Sequence, residues 1–448
     1  MHTTHFSLAS WRQGSGLLAI ALTLSAASTQ AGNWPQWRGP ELNGSCAETN
    51  LPIRWSQTNG FAWKTPLPGK SGATPVVWDN YVFVPSPDTE KNLKLFCIDL
   101  KTGKILWQNI VGKGDRTSGK NNMASPSAIT DGKRVYTLFG TSDFAAYDFS
   151  GKEVWHRRLS DDYGAFALMF LYGSSPLLCD GKLYLELIQH NPPQYPHAVD
   201  SKPERHSYVI CFDPETGKTL WQKERNTGAL DESMEAYTTP VPYNGPKGKE
   251  IIVVGADWVT SHRPDNGEEI WRYPNLNPKK RKDGRIVPSP LVMPGLIAVC
   301  GSKHELMVVL KADASGVTDE SQVVWKTKEA VPDVCAPLYY QGKMFVLDGD
   351  KQILTCYNPR TGQKIWQGRL SVSEIFSASP TGADGKIYCF SEDGTVVIAS
   401  AGDHFEILNT IPMGEGPSAS SIVAANGVIL VRTGENLYCV QPTAENRK

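Results

Sequence analysis

A six-residue phrase that places a glycine turn before a tryptophan recurs along the chain. Its copies begin at residues 102, 150, 216, 266 and 361 and read TGKILW, SGKEVW, TGKTLW, NGEEIW and TGQKIW. The glycine supplies the positive φ that a tight hairpin needs, and the tryptophan follows on the next strand, where an indole can fill the space between units. The phrase therefore predicts a chain built from repeated β-hairpin units.

The tryptophans of these units give the period of the repeat. The structural repeat tryptophans are Trp63, Trp107, Trp155, Trp221, Trp271, Trp325 and Trp366. Successive members lie 44, 48, 66, 50, 54 and 41 residues apart, a spacing typical of four-stranded propeller blades. Seven units open on a proline and an apolar run, near Pro75, Pro126, Pro176, Pro240, Pro290, Pro337 and Pro380, and an eighth opens near Ser420.

The eighth unit supplies three strands, and the stretch FAWKTPLP at 61–68 supplies a fourth strand that has no partners before it. Pairing residues 61–66 with 436–440 would complete the last blade and protect the sheet edges that an open ring exposes. We therefore predict an all-β fold: an eight-bladed β-propeller of four-stranded antiparallel blades over 61–441, with the ring closed by the N-terminal strand.

The segments outside the ring predict export. Residues 1–31 have Arg12 as their only Lys or Arg, the apolar run LLAIALTLSAA and small residues before a cut at Ala31, which are features of a cleavable signal peptide. A leader (32–60) is expected to pack on the ring, and 442–448 form a C-terminal tail. No cysteine precedes Cys46, so no lipid anchor is expected, and no apolar run is long enough to span a membrane. We expect a periplasmic or secreted monomer.

Charge and cysteine usage limit the partners and the chemistry. The formal net charge is −1, so no global field favours nucleic acid. Of nine cysteines, Cys97, Cys211, Cys356 and Cys439 occupy one place in four repeats, which predicts buried thiols rather than disulfides. Cys46 lies outside this pattern and could be paired or free.

The tryptophan-bearing units resemble pyrroloquinoline quinone (PQQ) repeats of the quinoprotein-like eight-bladed propeller superfamily, over about residues 60–441. The family of the outer-membrane protein assembly factor BamB, with exported PQQ-repeat proteins, is the functional relative that this resemblance implies. Quinoprotein dehydrogenases of the superfamily use a quinone, a calcium or lanthanide ion and often adjacent cysteines. The chain has no adjacent cysteine pair and no C-x-x-C-H haem site. We therefore predict no cofactor, no metal and no catalytic residue.

The long connections between strands predict where binding occurs. Second-to-third and fourth-to-first connections fall on one propeller face and are long here, and long loops on a rigid scaffold usually carry binding. The candidate binding residues of this face are Tyr163, Phe166, Phe170, Tyr172, Glu235, Asp333, Glu374 and Glu415. The resulting hypothesis is a non-catalytic scaffold that binds a protein or peptide partner in the cell envelope.

Two alternatives remain open at this point. One is a PQQ- or metal-dependent oxidoreductase that uses the central channel with PQQ and calcium, for which Asp333, Glu374 and Glu415 are the acids nearest the inner strands. The other is a carbohydrate-binding propeller that uses the loop aromatics. His190, His197 and His206 share one loop, but their spacing is not typical of a zinc site.

Overall fold

The computed structural model describes residues 1–3 and 32–443 of the chain. The predicted signal peptide from residue 4 onward and tail residues 444–448 lie outside the described residues. Eight sheets of the described chain, each built on four antiparallel strands, are arranged as the blades of a propeller, and a separate two-stranded hairpin lies in a connection. In the first seven blades the strands run in sequence order from the inside outward, whereas the outer strand of the eighth comes from the start of the ring. This confirms the predicted fold class. No helix in the described part is long and apolar enough to cross a membrane.

The strands of the first four blades follow the chain, with a small hairpin and two short helical turns in the connections. The elements are β1 (Trp63–Pro66), then β2 (Val76–Trp78), β3 (Tyr81–Pro87), β4 (Asn92–Asp99) and β5 (Ile105–Lys113) of blade 1; the hairpin β6 (Thr117–Ser118) and β7 (Asn121–Asn122); β8 (Ile129–Thr130), β9 (Arg134–Leu138), β10 (Asp143–Asp148) and β11 (Glu153–Arg158) of blade 2; α1 (Ser160–Tyr163); β12 (Leu177–Cys179), β13 (Lys182–Leu187), β14 (Tyr208–Phe212) and β15 (Thr219–Glu224) of blade 3; a 3-10 turn (Asp231–Met234); and β16 (Val241–Gly245), β17 (Gly248–Gly255), β18 (Trp258–His262) and β19 (Glu269–Tyr273) of blade 4.

The remaining blades repeat the same order. Their elements are β20 (Leu291–Met293), β21 (Leu296–Cys300) and β22 (Met307–Lys311) of blade 5; β23 (Gly316–Val317); a 3-10 turn (Glu320–Gln322); β24 (Val323–Thr327), the outer strand of blade 5; β25 (Leu338–Tyr340), β26 (Lys343–Asp348), β27 (Ile353–Tyr357) and β28 (Lys364–Arg369) of blade 6; β29 (Thr381–Ala383), β30 (Lys386–Phe390), β31 (Thr395–Ser400) and β32 (Ile407–Pro412) of blade 7; and β33 (Val423–Ala425), β34 (Val428–Arg432) and β35 (Asn436–Val440) of blade 8.

Blade 8 is completed by the two ends of the ring. Strand β1 pairs antiparallel with β35, in a register that places Trp63 opposite Cys439 and Pro66 opposite Asn436. The amide of Ala62 also donates to the carbonyl of Cys439 at 2.8 Å. The predicted closure is therefore confirmed.

Blade 4 carries an additional strand that the repeat pattern does not predict. The long turn between β22 and β24 contributes β23, which pairs in parallel with β19 of the preceding blade, with Trp271 opposite Gly316. The lengthened turn of unit five therefore covers the outer edge of its neighbour, which reduces the number of unpaired backbone groups there.

The glycine–tryptophan phrase joins neighbouring blades. Trp107 Nε1 donates to the carbonyl oxygen of Phe149 in the next blade at 2.9 Å. In the same turn Gly151 has φ of 88°, and a Cβ there would lie 2.8 Å from the Trp107 ring. Glycine is thus needed both for the turn and for the close approach of the indole. Trp271 differs, because its Nε1 donates at 2.9 Å to a carboxylate oxygen of Glu250 in its own blade.

The cysteines are free thiols, and those of the repeated position are buried. Cys97, Cys211, Cys356 and Cys439 are buried, and burial raises the pKa of the Cys97 thiol to about 12. Cys46 is half-buried, and its Sγ lies 3.4 Å from the carbonyl oxygen of Ala424. The buried thiols act as small apolar side chains in the blade cores.

The leader crosses the tight-turn end of the channel. Pro35 accepts a hydrogen bond from the amide of Thr130 on the inner strand of blade 2, and Asn43 accepts one from Tyr339 on the inner strand of blade 6. Blades 2 and 6 lie opposite each other in a ring of eight. Residues 34–45, which we call the strap, therefore span the full diameter of the channel.

The strap is anchored at both ends and along its length. Trp34 is buried and exchanges two backbone hydrogen bonds with Val77 of blade 1, at 2.8 and 2.9 Å. Arg38 is buried, and its guanidinium donates to the carbonyl oxygens of Pro337 at 2.7 Å and Pro380 at 2.8 Å, which immediately precede the inner strands of blades 6 and 7. Gly44 leaves the space that this guanidinium fills.

Candidate ligand-binding cavity

A cavity of about 350 Å³ lies on the propeller axis, above the strap. Every connection that leads into an inner strand contributes to its wall. The contributing residues include Gly72, Lys120, Phe170, Tyr237, Arg285, Asp333, Ser377 and Ala419. Because these connections all reach the inner strands from the long-connection face, the cavity lies at the face that the sequence predicts to carry binding. The indole of Trp37, between the two ends of the strap, lines it as well.

A lysine bridges the mouth of the cavity. Lys120 is at the tip of the β6–β7 hairpin, and its Nζ lies 2.9 Å from a carboxylate oxygen of Glu392 in blade 7. The same Nζ lies 3.3 Å from the hydroxyl of Ser377, which itself donates to Glu392. The Lys120 side chain is 48% exposed. We call this contact between the blade 1 to blade 2 connection and blade 7 the latch.

An arginine and an aromatic ring form another part of the wall. The Arg285 guanidinium lies 4.9 Å from the ring centroid of Phe170, as in a cation–π contact. It also forms ion pairs with Glu232 at 3.0 Å and with Asp333 at 3.2 Å. This part of the wall thus combines the apolar ring of Phe170 with a guanidinium that already forms ion pairs with two carboxylates.

The structure brings two of the eight candidate binding residues to the cavity, namely Phe170 and Asp333. Tyr163, Phe166 and Tyr172 are buried in the core between blades 2 and 3, where Phe166 and Tyr172 pack with ring centroids 4.8 Å apart. Glu374 is exposed on the connection between blades 6 and 7. A loop position alone did not reveal which aromatic rings face the axis.

Glu235 is fully buried and anchors neighbouring loops. Its carboxylate accepts hydrogen bonds from the amide of Met169 at 2.8 Å, from the hydroxyl of Tyr237 at 2.7 Å and from the hydroxyl of Tyr195. Burial raises the pKa of the Glu235 carboxyl above its ordinary value, although these hydrogen bonds act in the opposite direction. Tyr195 belongs to the long connection between β13 and β14, so Glu235 fixes that connection to the ones beside the cavity.

Glu415 ties the closing blade together. Burial would raise its pKa, but hydrogen bonds from Thr433, Asn436, Lys64 and Tyr438 outweigh that effect and lower the pKa of the Glu415 carboxyl to about 2. Lys64 lies on β1, and Asn436 and Tyr438 lie on β35. Glu415 therefore contacts both strands that meet where the ring closes.

A ring of hydroxyl groups, which we call the hydroxyl belt, links the inner strands and was not predicted from sequence. At six of the eight junctions between neighbouring blades, the backbone amide of one blade donates to a hydroxyl of the next. The pairs are Thr74 to Ser127 at 2.9 Å, Ser127 to Ser175 at 3.0 Å, Ser175 to Thr239 at 3.0 Å, Thr239 to Ser289 at 2.8 Å, Ala336 to Ser379 at 2.9 Å and Ser421 to Thr74 at 3.2 Å. The Ser/Thr-Pro pair that opens most units is the signal that could have revealed the belt.

The residues of the cavity do not fit a metal ion. Calcium takes 6–8 oxygen ligands, and catalytic zinc takes three protein ligands. Within residues 1–3 and 32–443 no group of three or more His, Cys, Asp or Glu side chains is arranged to hold a cation. The cavity carboxylates are held by other partners, Asp333 by Arg285 and Asp350 by His304 at 2.9 Å.

These observations define the class of protein as an eight-bladed propeller of PQQ-like repeats with an axial cavity. Solved structures of similar fold support that class. A europium-containing methanol dehydrogenase has a TM-score of 0.66 at 12% identity, covering 91% of this chain and 90% of the other. BamB from Moraxella catarrhalis has a TM-score of 0.59 at 12% identity, covering 85% and 99%. At these identities the likeness concerns the fold alone.

The sequence places the chain in a particular family. The family described as outer membrane protein assembly factor BamB matches residues 48–184, 97–332 and 311–443, and the chain belongs to it. A quinoprotein ethanol dehydrogenase from Pseudomonas aeruginosa is 25% identical over 187 residues, which are 39% of this chain and 28% of that relative. The chain therefore spans less than a third of the length of this relative.

Proposed function

We propose that this protein is an exported, non-catalytic propeller that binds a protein or peptide segment in the mouth of its axial cavity. The observation that carries this proposal is the difference between the two ends of the channel. The strap closes one end with buried contacts, whereas connections from all eight blades surround the other end. A blind cavity bordered by loops takes a ligand from the loop face.

The composition of the wall favours a peptide. Phe170 offers a half-buried ring, Arg285 and Lys120 offer cations, and the inner strands offer hydroxyl groups. A peptide segment presents apolar side chains and amide groups together, which such a mixed surface can accommodate. Membership in a family named for outer-membrane protein assembly supports a protein partner in the cell envelope.

The proposal is tested by selecting hexapeptides from a random library on immobilised protein and measuring their binding by calorimetry. We expect Phe170→Ala to weaken binding at least tenfold, since buried aromatic anchors dominate such interfaces. Lys133→Ala is the matched control, because Lys133 is exposed in a tight turn of the opposite face. Equal binding by wild type and Phe170→Ala would contradict a site in the cavity mouth.

The quinoprotein relative supplies the second candidate function. The cavity residues do not fit a metal ion, so this candidate rests on the likeness to that relative alone. The candidate is tested by adding PQQ and calcium to the purified protein, recording the quinone absorbance, and assaying dye-linked oxidation of alcohols and sugars. Turnover that disappears in Asp333→Asn or Glu374→Gln would replace the binding proposal with an oxidoreductase.

A further inference from the structure

Part of the hydroxyl belt faces the axial cavity with its donors unused. The belt residues that line the cavity and accept an amide hydrogen are Ser127, Ser175, Thr239 and Ser379. Each hydroxyl oxygen accepts a hydrogen bond from the preceding blade, and each still has one O–H to donate. Within residues 1–3 and 32–443 none of these four O–H groups donates a hydrogen bond to a protein acceptor. Their donors are therefore available to whatever fills the cavity.

Unused donors at this depth demand an acceptor. Ser127 and Thr239 are 2% and 3% exposed, and Ser175 and Ser379 are 4% and 6% exposed. Each hydroxyl already has one partner as an acceptor, and buried polar groups in proteins use their hydrogen-bonding capacity toward protein, water or ligand in the large majority of cases. Several donors around one cavity favour an occupant rich in oxygen acceptors. A carboxylate is the acceptor-only group with the most lone pairs for its size.

The charges around the cavity do not oppose an anion. Two carboxylates, Asp333 and Asp350, line the wall together with two cations, Arg285 and Lys120, and Arg285 lies 3.2 Å from Asp333. Lys120 adds a cation at the mouth, shared with Glu392. Since the strap crosses the floor, a peptide cannot pass through the channel and enters by one end.

We propose that the hydroxyl belt binds the terminal carboxylate of the partner, so that the partner is a chain with a free C-terminus that enters end-first. This inference rests on the proposed function, because it names the part of the peptide that reaches the bottom of the same cavity. In this arrangement the belt hydroxyls donate to the carboxylate oxygens, and the residues before the terminus contact Phe170 at the mouth.

The experiment compares two pools of random hexapeptides that differ only at the C-terminus, one as free acids and one as carboxamides. Individual peptides recovered on wild-type protein are then measured in both forms. We expect each carboxamide to bind at least tenfold more weakly than its free acid. Equal affinities would overturn the carboxylate inference while leaving the proposed function intact. If neither pool binds, the proposed function fails, and the inference fails with it.

Variants of the belt give a second readout, the ratio of free-acid to carboxamide affinity. Thr239→Val removes the hydroxyl at similar volume, and we expect it to bring the ratio close to one, while Thr239→Ser keeps it. Ser289→Ala is the matched control: Ser289 accepts the Thr239 amide but does not line the cavity. A ratio that falls equally in Ser289→Ala would overturn the direct role of Thr239. If Thr239→Val does not fold, the comparison of free-acid and carboxamide peptides on wild-type protein still tests the carboxylate inference.

Discussion

The two ends of the channel are both crossed by the chain, but through contacts of different kinds. At the floor, Arg38 is buried, and its guanidinium satisfies main-chain carbonyls of blades 6 and 7. At the mouth, Lys120 is about half exposed and meets a carboxylate that solvent also reaches. Removing a buried hydrogen-bond partner costs about 1–3 kcal/mol per orphaned group, whereas an exposed ion pair contributes about 0–1 kcal/mol. We infer that the floor is built to stay closed and the mouth to open.

The largest expected effect comes from removing the whole floor together with the closing strand. A chain that begins at residue 70 lacks the strap and β1, so blade 8 loses its outer strand and the ring is open. We expect it to lose the cooperative thermal transition that the chain from residue 32 shows, measured by circular dichroism and calorimetry.

A chain that begins at residue 61 separates the two contributions, because it keeps β1 and lacks the strap. It should fold cooperatively at a lower melting temperature. A chain from residue 70 that melts like the chain from residue 32 would show that neither closure nor the strap stabilises the ring.

The ring could be predicted from sequence because its determinants are local and repeated. Each Gly and Trp of the phrase recurs with the blade, and Trp63 without preceding strands required a partner at the other terminus. The leader was expected to pack on the ring, but the path of the strap across the channel could not be predicted, because Arg38 binds carbonyl oxygens of Pro337 and Pro380, and every residue carries a carbonyl. The candidate binding residues were predicted from their loop positions, which do not report the direction of a side chain. Asp333 and Phe170 line the cavity. The aromatic rings near Phe170 in sequence, those of Tyr163, Phe166 and Tyr172, are buried between blades 2 and 3 instead, and only the packing of those blades decides this.

The second prediction concerns Arg38, the buried cation of the floor. Arg38→Ala leaves two carbonyl oxygens, those of Pro337 and Pro380, without their buried donor. At about 1–3 kcal/mol each, we expect the free energy of unfolding to fall by at least about 2 kcal/mol in urea denaturation. Arg38→Lys should recover part of this, since an ammonium cannot reproduce the guanidinium fork. A loss below about 1 kcal/mol for Arg38→Ala would remove the contrast between floor and mouth.

The third prediction tests whether any contact on the mouth face contributes strongly to the stability of the ring. Glu415 lies in a connection of that face, yet its pKa is lowered to about 2 by the hydrogen bonds that reach β1 and β35. A lowered folded-state pKa gives stability that is present above the ordinary glutamate pKa of about 4.3 and is lost as the pH falls toward 2. The wild type should therefore be more stable than Glu415→Gln at neutral pH, by an amount that shrinks between about pH 5 and pH 2.

Urea denaturation at a series of pH values measures this difference. Glu374→Gln is the control, because Glu374 is exposed on the neighbouring connection and its replacement should change the unfolding free energy by less than about 0.5 kcal/mol. A Glu415→Gln difference that is independent of pH would show that the carboxylate charge does not hold the closing blade.

The smallest expected change in stability belongs to the latch. Lys120→Ala should lower the free energy of unfolding by less than about 1 kcal/mol, since the Lys120–Glu392 pair is partly exposed.

The effect of Lys120→Ala should instead appear in binding kinetics. A peptide must displace the Lys120 side chain to enter, so the variant should bind the selected peptide with a faster association rate. Salt screens exposed ion pairs, and raising the salt concentration should therefore speed association in the wild type more than in the variant. Lys364→Ala is the control. Lys364, on the outer strand of blade 6, forms an exposed ion pair with Glu329, and its replacement should leave the association rate unchanged. Equal rates and equal salt dependence in wild type and Lys120→Ala would show that the latch does not control entry, and that the mouth is open whether or not Lys120 bridges it.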